Sequence, residues 1–137
     1  MKVTQLTVFL ENRPGRLAEV ARILGGAGIN IHGFSTTEAA EYGILRLIVS
    51  DTSKAREVLN AAGFTTHVTQ VLCVKVEDVP GGLATVLDKL AAADVSIEYL
   101  YNISFFNVCF AVRDLDRAVD LLAGQVTLMG DEEVQAL

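Results

Sequence analysis

Two short corners hold most of the residues with chemical potential. "ENRPGRL" (11–17) recurs as "EDVPGGL" (77–83), each time between an alternating hydrophobic run and an apolar helical pattern. At such a corner a strand ends, the chain turns through Pro-Gly, and a helix begins at once. The first helical amides have no partner within the helix, and the helix dipole adds partial positive charge there. A small anionic group, a carboxylate included, can be held in that position. Glycine also lets backbone approach a ligand without an intervening Cβ. Asn12 adds a donor and an acceptor beside the turn. The amides around Gly15, Arg16 and Leu17 would meet such an anionic group. Arg13 and Arg16 either steer an anion or stand as solvated charge at a helix start. The same residues equally describe a tight turn that binds nothing.

Other reactive groups are sparse. Cys73 and Cys109 lack CxxC spacing, and His32 and His67 lie near neither, so zinc sites and disulfide scaffolds find little support. Buried, reduced cysteines are the expected state, because free Cys packs as a small hydrophobe. A redox pair is the alternative, although neither cysteine begins a helix, where a thiolate would be stabilised. "DEE" (131–133) reads as solvated charge. No Ser-His-Asp set, Gly-rich phosphate loop or metal motif stands out, and no cofactor is expected. A small enzyme is therefore the lesser alternative to a binding protein.

The elements behind the corners are written twice. An offset of 66 places Glu11, Pro14, Gly15 and Leu17 on Glu77, Pro80, Gly81 and Leu83. It also aligns Leu24 with Leu90 and Ile31 with Ile97. Further on the offset becomes 63, matching Asp51, Ala55 and Leu59 to Asp114, Ala118 and Leu122. The second copy has thus lost about three residues between 98 and 113, and internal repetition is the first feature any fold must respect.

Each copy parses as strand, helix, strand, strand, helix, strand. Alternation in 3–10, 29–36 and 42–50 gives strands, and Leu17, Val20, Ala21 and Leu24 fall at helical spacing. Pro14 suits a first helical turn, and Gly25, Gly26 and Gly28 end that helix. Asp51 or Thr52 caps the second helix, and "FTTHV" supplies the fourth strand. The predicted fold is α+β: two tandem ferredoxin-like βαββαβ units, at 1–69 and 70–137, with antiparallel sheets and helices on one face. Leu6, Val8, Leu10, Leu45, Leu47 and Val49 should line the helix-covered face. Thr7, Phe9, Ile44, Arg46 and Ile48 should line the other, which is apolar enough to need partial cover. A 65-residue unit buries little core by itself, so pairing of halves or subunits is expected.

The totals agree. A 51% hydrophobic, 20% charged chain is not disordered. The net charge of −6 with dispersed Lys and Arg argues against nucleic acid. No apolar run approaches the roughly 18 residues of a membrane span, and the start resembles no signal peptide. A cytoplasmic protein bound to neither nucleic acid nor membrane is expected.

"LENRPGRLAEVARILGGAGINI" resembles the opening of ACT domains, βαββαβ modules that bind amino acids and regulate metabolic enzymes. "VEDVPGGLATVLDKLAAADVSIEYLY" resembles it more weakly. The likeness spans almost the whole chain, leaves no room for an attached catalytic domain and suits a stand-alone tandem ACT protein. It implies a free amino acid or similar zwitterion at an interface between ACT domains, altering domain or subunit arrangement. It implies also a homodimer or higher homo-oligomer, and a metabolic enzyme as a partner. In serine-binding relatives two asparagines hold the ligand, and they match Asn12 and Asn30, the latter reaching the corner only across a domain interface. The implied site is Leu10, Glu11, Asn12, Arg13, Pro14, Gly15, Arg16, Leu17, Asn30 and Ile31. Leu10 replaces the family's histidine and favours a less polar ligand than serine. A second, degenerate site would comprise Glu77, Asp78, Pro80, Gly81, Gly82, Leu83 and Ser96. There Asp78 and Ser96 replace the asparagines, and an ionised Asp78 repels a carboxylate but can receive an ammonium. A pure assembly module, using aromatics such as Tyr99, Tyr101, Phe105 and Phe106, is the remaining alternative.

Overall fold

The computed structural model describes residues 1–38 and 41–137. The first copy comprises β1 (Val3–Glu11), α1 (Arg16–Gly26), β2 (Ile31–Glu38), β3 (Tyr42–Val49) and α2 (Thr52–Ala61). It ends in the first residues of β4 (Thr65–Lys75). The second continues from β4 through α3 (Gly82–Ala92), β5 (Ile97–Ile103), a 3-10 turn (Ser104–Phe106), β6 (Asn107–Val112), α4 (Leu115–Leu122), β7 (Thr127–Leu128) and α5 (Asp131–Gln135). The connection expected between β2 and β3 includes residues 39 and 40, which lie outside the described residues.

Two compact units result. One contains Thr4–Thr69 with Val134–Leu137, and the other contains Met1–Val3 with Gln70–Glu133. In the first, β1 pairs antiparallel with β3, β3 antiparallel with β2, and β1 also with β4. In the second, β6 lies between β4 and β5, and β7 flanks β4, all antiparallel. Both are the 4-1-3-2 order of the βαββαβ arrangement that the sequence pattern predicts. Strand alternation directs Leu6, Val8, Leu10, Leu45, Leu47 and Val49 onto Val20, Leu24, Ala55 and Leu59 of the two helices. Leu72, Val74, Val108 and Phe110 meet Val86, Leu90, Ala118 and Leu122 in the same way. On the opposite face of the first sheet Thr7 and Ile48 are buried, while Phe9 is 37% exposed.

Local chemistry explains the element ends. Asp51 caps α2, its Oδ1 accepting from the Lys54 amide at 3.1 Å, and Asp114 caps α4 by accepting from Arg117 at 3.3 Å. Some boundaries differ from the sequence expectation. Pro14 lies just ahead of the helix, as expected, but α1 begins at Arg16 where the spacing suggests Gly15. Gly25 and Gly26 stay helical, and it is Gly28, at φ 75°, that ends the turn. All of "FTTHV" but Phe64 and all of "VLCVKV" but Val76 form one unbroken strand, β4. The "DEE" run opens α5, where Glu133 pairs with Lys75 at 3.2 Å.

The duplication extends to an irregularity. Register shifts fall between Ile31 and Gly33 in one copy and between Ile97 and Tyr99 in the other, so both strands bulge at His32 and Glu98. The missing residues fall in the β5–β6 hairpin, where Ile103 pairs Asn107 across the 3-10 turn. The equivalent hairpin joins at Glu38 and Gly43. Its shortened counterpart holds Phe105 and Phe106 at φ 61° and 54°, a costly conformation for bulky residues. The Asn107 side chain braces the turn by donating to the Ser104 carbonyl at 2.6 Å.

Candidate functional site

At the first corner β1 ends at Glu11, and the Arg13 amide donates back to the Glu11 carbonyl at 2.8 Å. Gly15 then adopts φ 88°, ψ −13°, which only glycine reaches without strain. Its carbonyl accepts the first helical bond, from Glu19 at 3.0 Å. Gly15 has no side chain with which to cap the helix, and nothing lies within 4 Å of where its Cβ would be. The glycine is thus required by backbone conformation, and the space in front of the helix start is open.

That space is a cleft of about 420 Å³ within the first unit. One wall is the corner, with Leu10, Glu11, Asn12, Arg13, Arg16 and Leu17. The other is the end of the β2–β3 hairpin, with Thr36, Thr37, Glu38, Gly43 and Ile44. Six of the ten residues anticipated for this site therefore share one cleft. Pro14 and Gly15 shape the turn without lining it. Asn30 lies at the far end of α1, about 16 Å away along an 11-residue helix. There its amide donates to Ser50 Oγ at 2.9 Å. Ile31 lines a separate apolar groove with Leu17, Val20 and Phe34. The hairpin residues were not foreseen: Thr36 and Thr37 carry no motif, and only the register of β2 on β3 brings them here.

Arg16 departs from the solvated charge considered above. Its side chain is only 16% exposed, with Nη1 2.8 Å from Glu19 and Nη2 3.9 Å from Glu11. The guanidinium lies 4.3 Å from the centre of the Phe64 ring, a cation–π contact. Its Nε is buried and makes no hydrogen bond. Arg13 is more exposed and pairs with Glu11 at 3.0 Å. The cleft therefore offers both charge signs, the Asn12 amide, two threonine hydroxyls and an apolar wall of Leu10, Leu17 and Ile44.

Residues 1–129 match the family described as ACT domain pair. The chain belongs to this family. A solved protein of Bacteroides thetaiotaomicron, BT0572, is 37% identical with a TM-score of 0.92, the match covering 100% of this chain and 98% of that one. The regulatory subunit of aspartate kinase from Thermus thermophilus, in its ligand-free form, shares the fold at 17% identity and TM-score 0.60, over 88% of this chain and 91% of that one. Its counterpart from Thermus flavus is 16% identical with a TM-score of 0.58, covering 88% and 90%. No curated protein gives a significant match.

The corner of the second ACT unit repeats the backbone of the first. Val79 donates to Glu77 at 2.9 Å, Gly81 sits at φ 83°, ψ −7°, and Thr85 donates to Gly81 at 3.0 Å. Gly82 stands where the first unit has Arg16. A methyl group there would overlap the Glu77 carbonyl oxygen and come within 3.1 Å of its carbon, so the position excludes side chains. Of the residues anticipated for a second site, Glu77 and Gly82 line a cavity beside α3. Asp78, Pro80 and Gly81 are exposed and Leu83 is half-buried, and none of them lines that cavity. Ser96 lies near the α4 cap with Arg113 and Asp114.

Cys73 and Cys109 are direct register partners on β4 and β6, both buried and not joined by a disulfide. A hydrogen bond with Cys73, together with burial, pushes the Cys109 thiol well above its ordinary range. A thiolate nucleophile is disfavoured by that environment. Among the described residues no cluster of three His, Cys, Asp or Glu is placed to hold a metal. None of the described helices is long and apolar enough to cross a membrane.

Proposed function

We propose that this ACT domain pair is a regulatory protein that binds a free amino acid or similar small zwitterion at the first corner and performs no chemistry on it. The observation that carries the reading is the cleft of about 420 Å³ built by the uncapped start of α1, Asn12 and the β2–β3 hairpin. In this assignment the ligand carboxylate meets the amides of Arg16 and Leu17, where the helix dipole favours negative charge. Its ammonium faces Glu11 or Glu38, and its side chain lies along Leu10, Leu17 and Ile44. Pro14 and Gly15 hold the turn. Asn30 and Ile31 belong to the same reading only through a second ACT unit or subunit, as the family resemblance implies.

Regulation then follows from differential affinity: a ligand favours whichever association state binds it better, with about 1–3 kcal/mol of coupling typical. A homo-oligomer in the cytoplasm, reporting to a metabolic enzyme, is the setting proposed. The regulatory aspartate kinase subunits among its structural neighbours support that setting by analogy of fold alone. The 1–69 and 70–137 halves are proposed as the duplicated units. A thermal-shift panel of the proteinogenic amino acids tests the reading, since a native-state ligand raises stability by mass action. One or a few amino acids should raise the midpoint, and their mass should be unchanged after incubation. No stabilisation by any of them defeats the assignment, and turnover replaces it with an enzyme.

A further inference from the structure

A second cavity, of about 240 Å³, lies in the second unit between α3 and the strands β4 and β7. Its origin is visible in the repeat. In the first unit the corresponding niche is filled by the Arg16 side chain, stacked on Phe64 and paired with Glu19. The repeat offsets put Gly82 in place of Arg16, Thr127 in place of Phe64 and Thr85 in place of Glu19. The large groups are gone, and the Glu77 carbonyl forbids their return at Gly82.

The positive charge has also moved, from one arginine in the niche to two lysines on its walls. Where the first unit has Phe9 and Ile23, the second has Lys75 and Lys89, and both line the cavity. Lys89 is half-buried and donates to the Gln125 carbonyl at 2.7 Å, and Lys75 reaches Glu133 at 3.2 Å. Each bond engages one of an ammonium's three donors. Room remains for about eight water-sized groups at about 30 Å³ each.

We propose that this cavity binds a small anion, through a carboxylate or phosphate group held between Lys75 and Lys89. The Thr127 hydroxyl is the neutral donor beside them. The Lys75–Glu133 pair is about half exposed on both sides and is exchanged for the ligand at little cost. Glu77 also lines the cavity and disfavours an anion placed against it, so the ligand sits toward Lys89 and β7. The site is independent of the one proposed at the first corner.

Titration of the full chain with inorganic phosphate and, separately, succinate at constant ionic strength tests this, read by amide chemical shifts. Saturable shifts at Gly82–Lys89 and Thr127 are expected with at least one probe. Phosphate alone points to a phosphorylated ligand, and succinate alone to a carboxylate. Lys89→Gln and Lys75→Gln should each weaken binding about tenfold or more, while Asn12→Ala leaves it unchanged. If Lys89→Gln fails to fold, Lys75→Gln carries the test. Absence of saturable shifts with both probes overturns the proposal. So do shifts that sodium chloride reproduces, or shifts that survive both lysine substitutions.

Discussion

The two Pro-Gly corners share a backbone and differ in what stands on it. Gly15 and Gly81 agree within 6° in both φ and ψ, and two framing bonds recur at equivalent positions: Arg13 to Glu11 and Glu19 to Gly15 in the first, Val79 to Glu77 and Thr85 to Gly81 in the second. Yet the first corner carries a half-buried arginine immediately after the glycine, and the second carries a glycine that tolerates no side chain. Duplication thus copied the turn, because the αL glycine and the helix start depend on local sequence. It did not copy the niche beside the turn, which depends on whether residue 16 or 82 has a side chain and on what faces it across the sheet. A repeated motif, then, is evidence for a repeated backbone and only weak evidence for a repeated site.

Restoring the missing side chain should have the largest effect. Gly82→Arg forces a Cβ into the Glu77 carbonyl, and backbone, unlike a flexible side chain, has little room to yield. The expected cost is about 3 kcal/mol, the upper end for overpacking, read by urea unfolding. Gly82→Ala should already show most of it. If both variants are as stable as the parent, the second corner is loose and its difference from the first is not steric.

Next in size is an exchange of ligand chemistry. Asn12→Asp gives the first corner the carboxylate that Asp78 gives the second. Under the proposed function amino-acid affinity falls by about 1–3 kcal/mol through the lost donor bond, and charge repulsion adds to it. Calorimetry with whichever amino acid stabilises the parent checks this. Unchanged affinity would mean that Asn12 does not touch the ligand.

Arg16→Ala comes third. It removes the Phe64 stack and the Glu19 pair but also a buried Nε with no hydrogen bond, so the losses are partly offset. A net destabilisation of about 1–2 kcal/mol is expected. Lysine should not restore it, having no planar face to lay on the ring. The equivalent position, Gly82, has no such contact to lose.

How much of this was legible in the sequence follows from the range of each interaction. Alternation and helical spacing identify the first core, because Leu6, Val8, Leu10 and their partners obey a period that survives any detail of packing, and the repeat offsets carry Leu90, Ala118 and Leu122 into the second. The lost residues were placed between 98 and 113, and they fall in the β5–β6 hairpin. The bulges at His32 and Glu98 left no mark, since shifting pairing by one residue beside a strand end does not disturb the apolar pattern that register obeys. Two-residue β7 and five-residue α5 are too short to show a period at all. Phe105 and Phe106 gave no turn signal, because bulky residues at positive φ run against every local preference. At the site, the corner was readable as a motif. The hairpin wall was not, for Thr36 and Thr37 reach the cleft only through pairing with β3. The fate of Arg16 was hidden for the same reason: Phe64, which receives its guanidinium, lies beyond the next helix.

The smallest effect gives the sharpest comparison. Gly15→Ala and Gly81→Ala each place a methyl group where nothing lies within 4 Å, so sterics with neighbours drop out of both. What remains is the cost of holding an L-residue at φ 88° or 83°, about 1–2 kcal/mol. Because the two backbones coincide, the two costs should agree within a few tenths of a kcal/mol, the usual error of such differences. Agreement would isolate the turn as the inherited element and assign every other difference between the corners to side chains. A larger penalty at Gly15 would place additional strain in the first turn. A larger one at Gly81 would link that glycine to the crowding between Gly82 and Glu77, making the second corner a single tight unit instead of a turn with a cavity beside it.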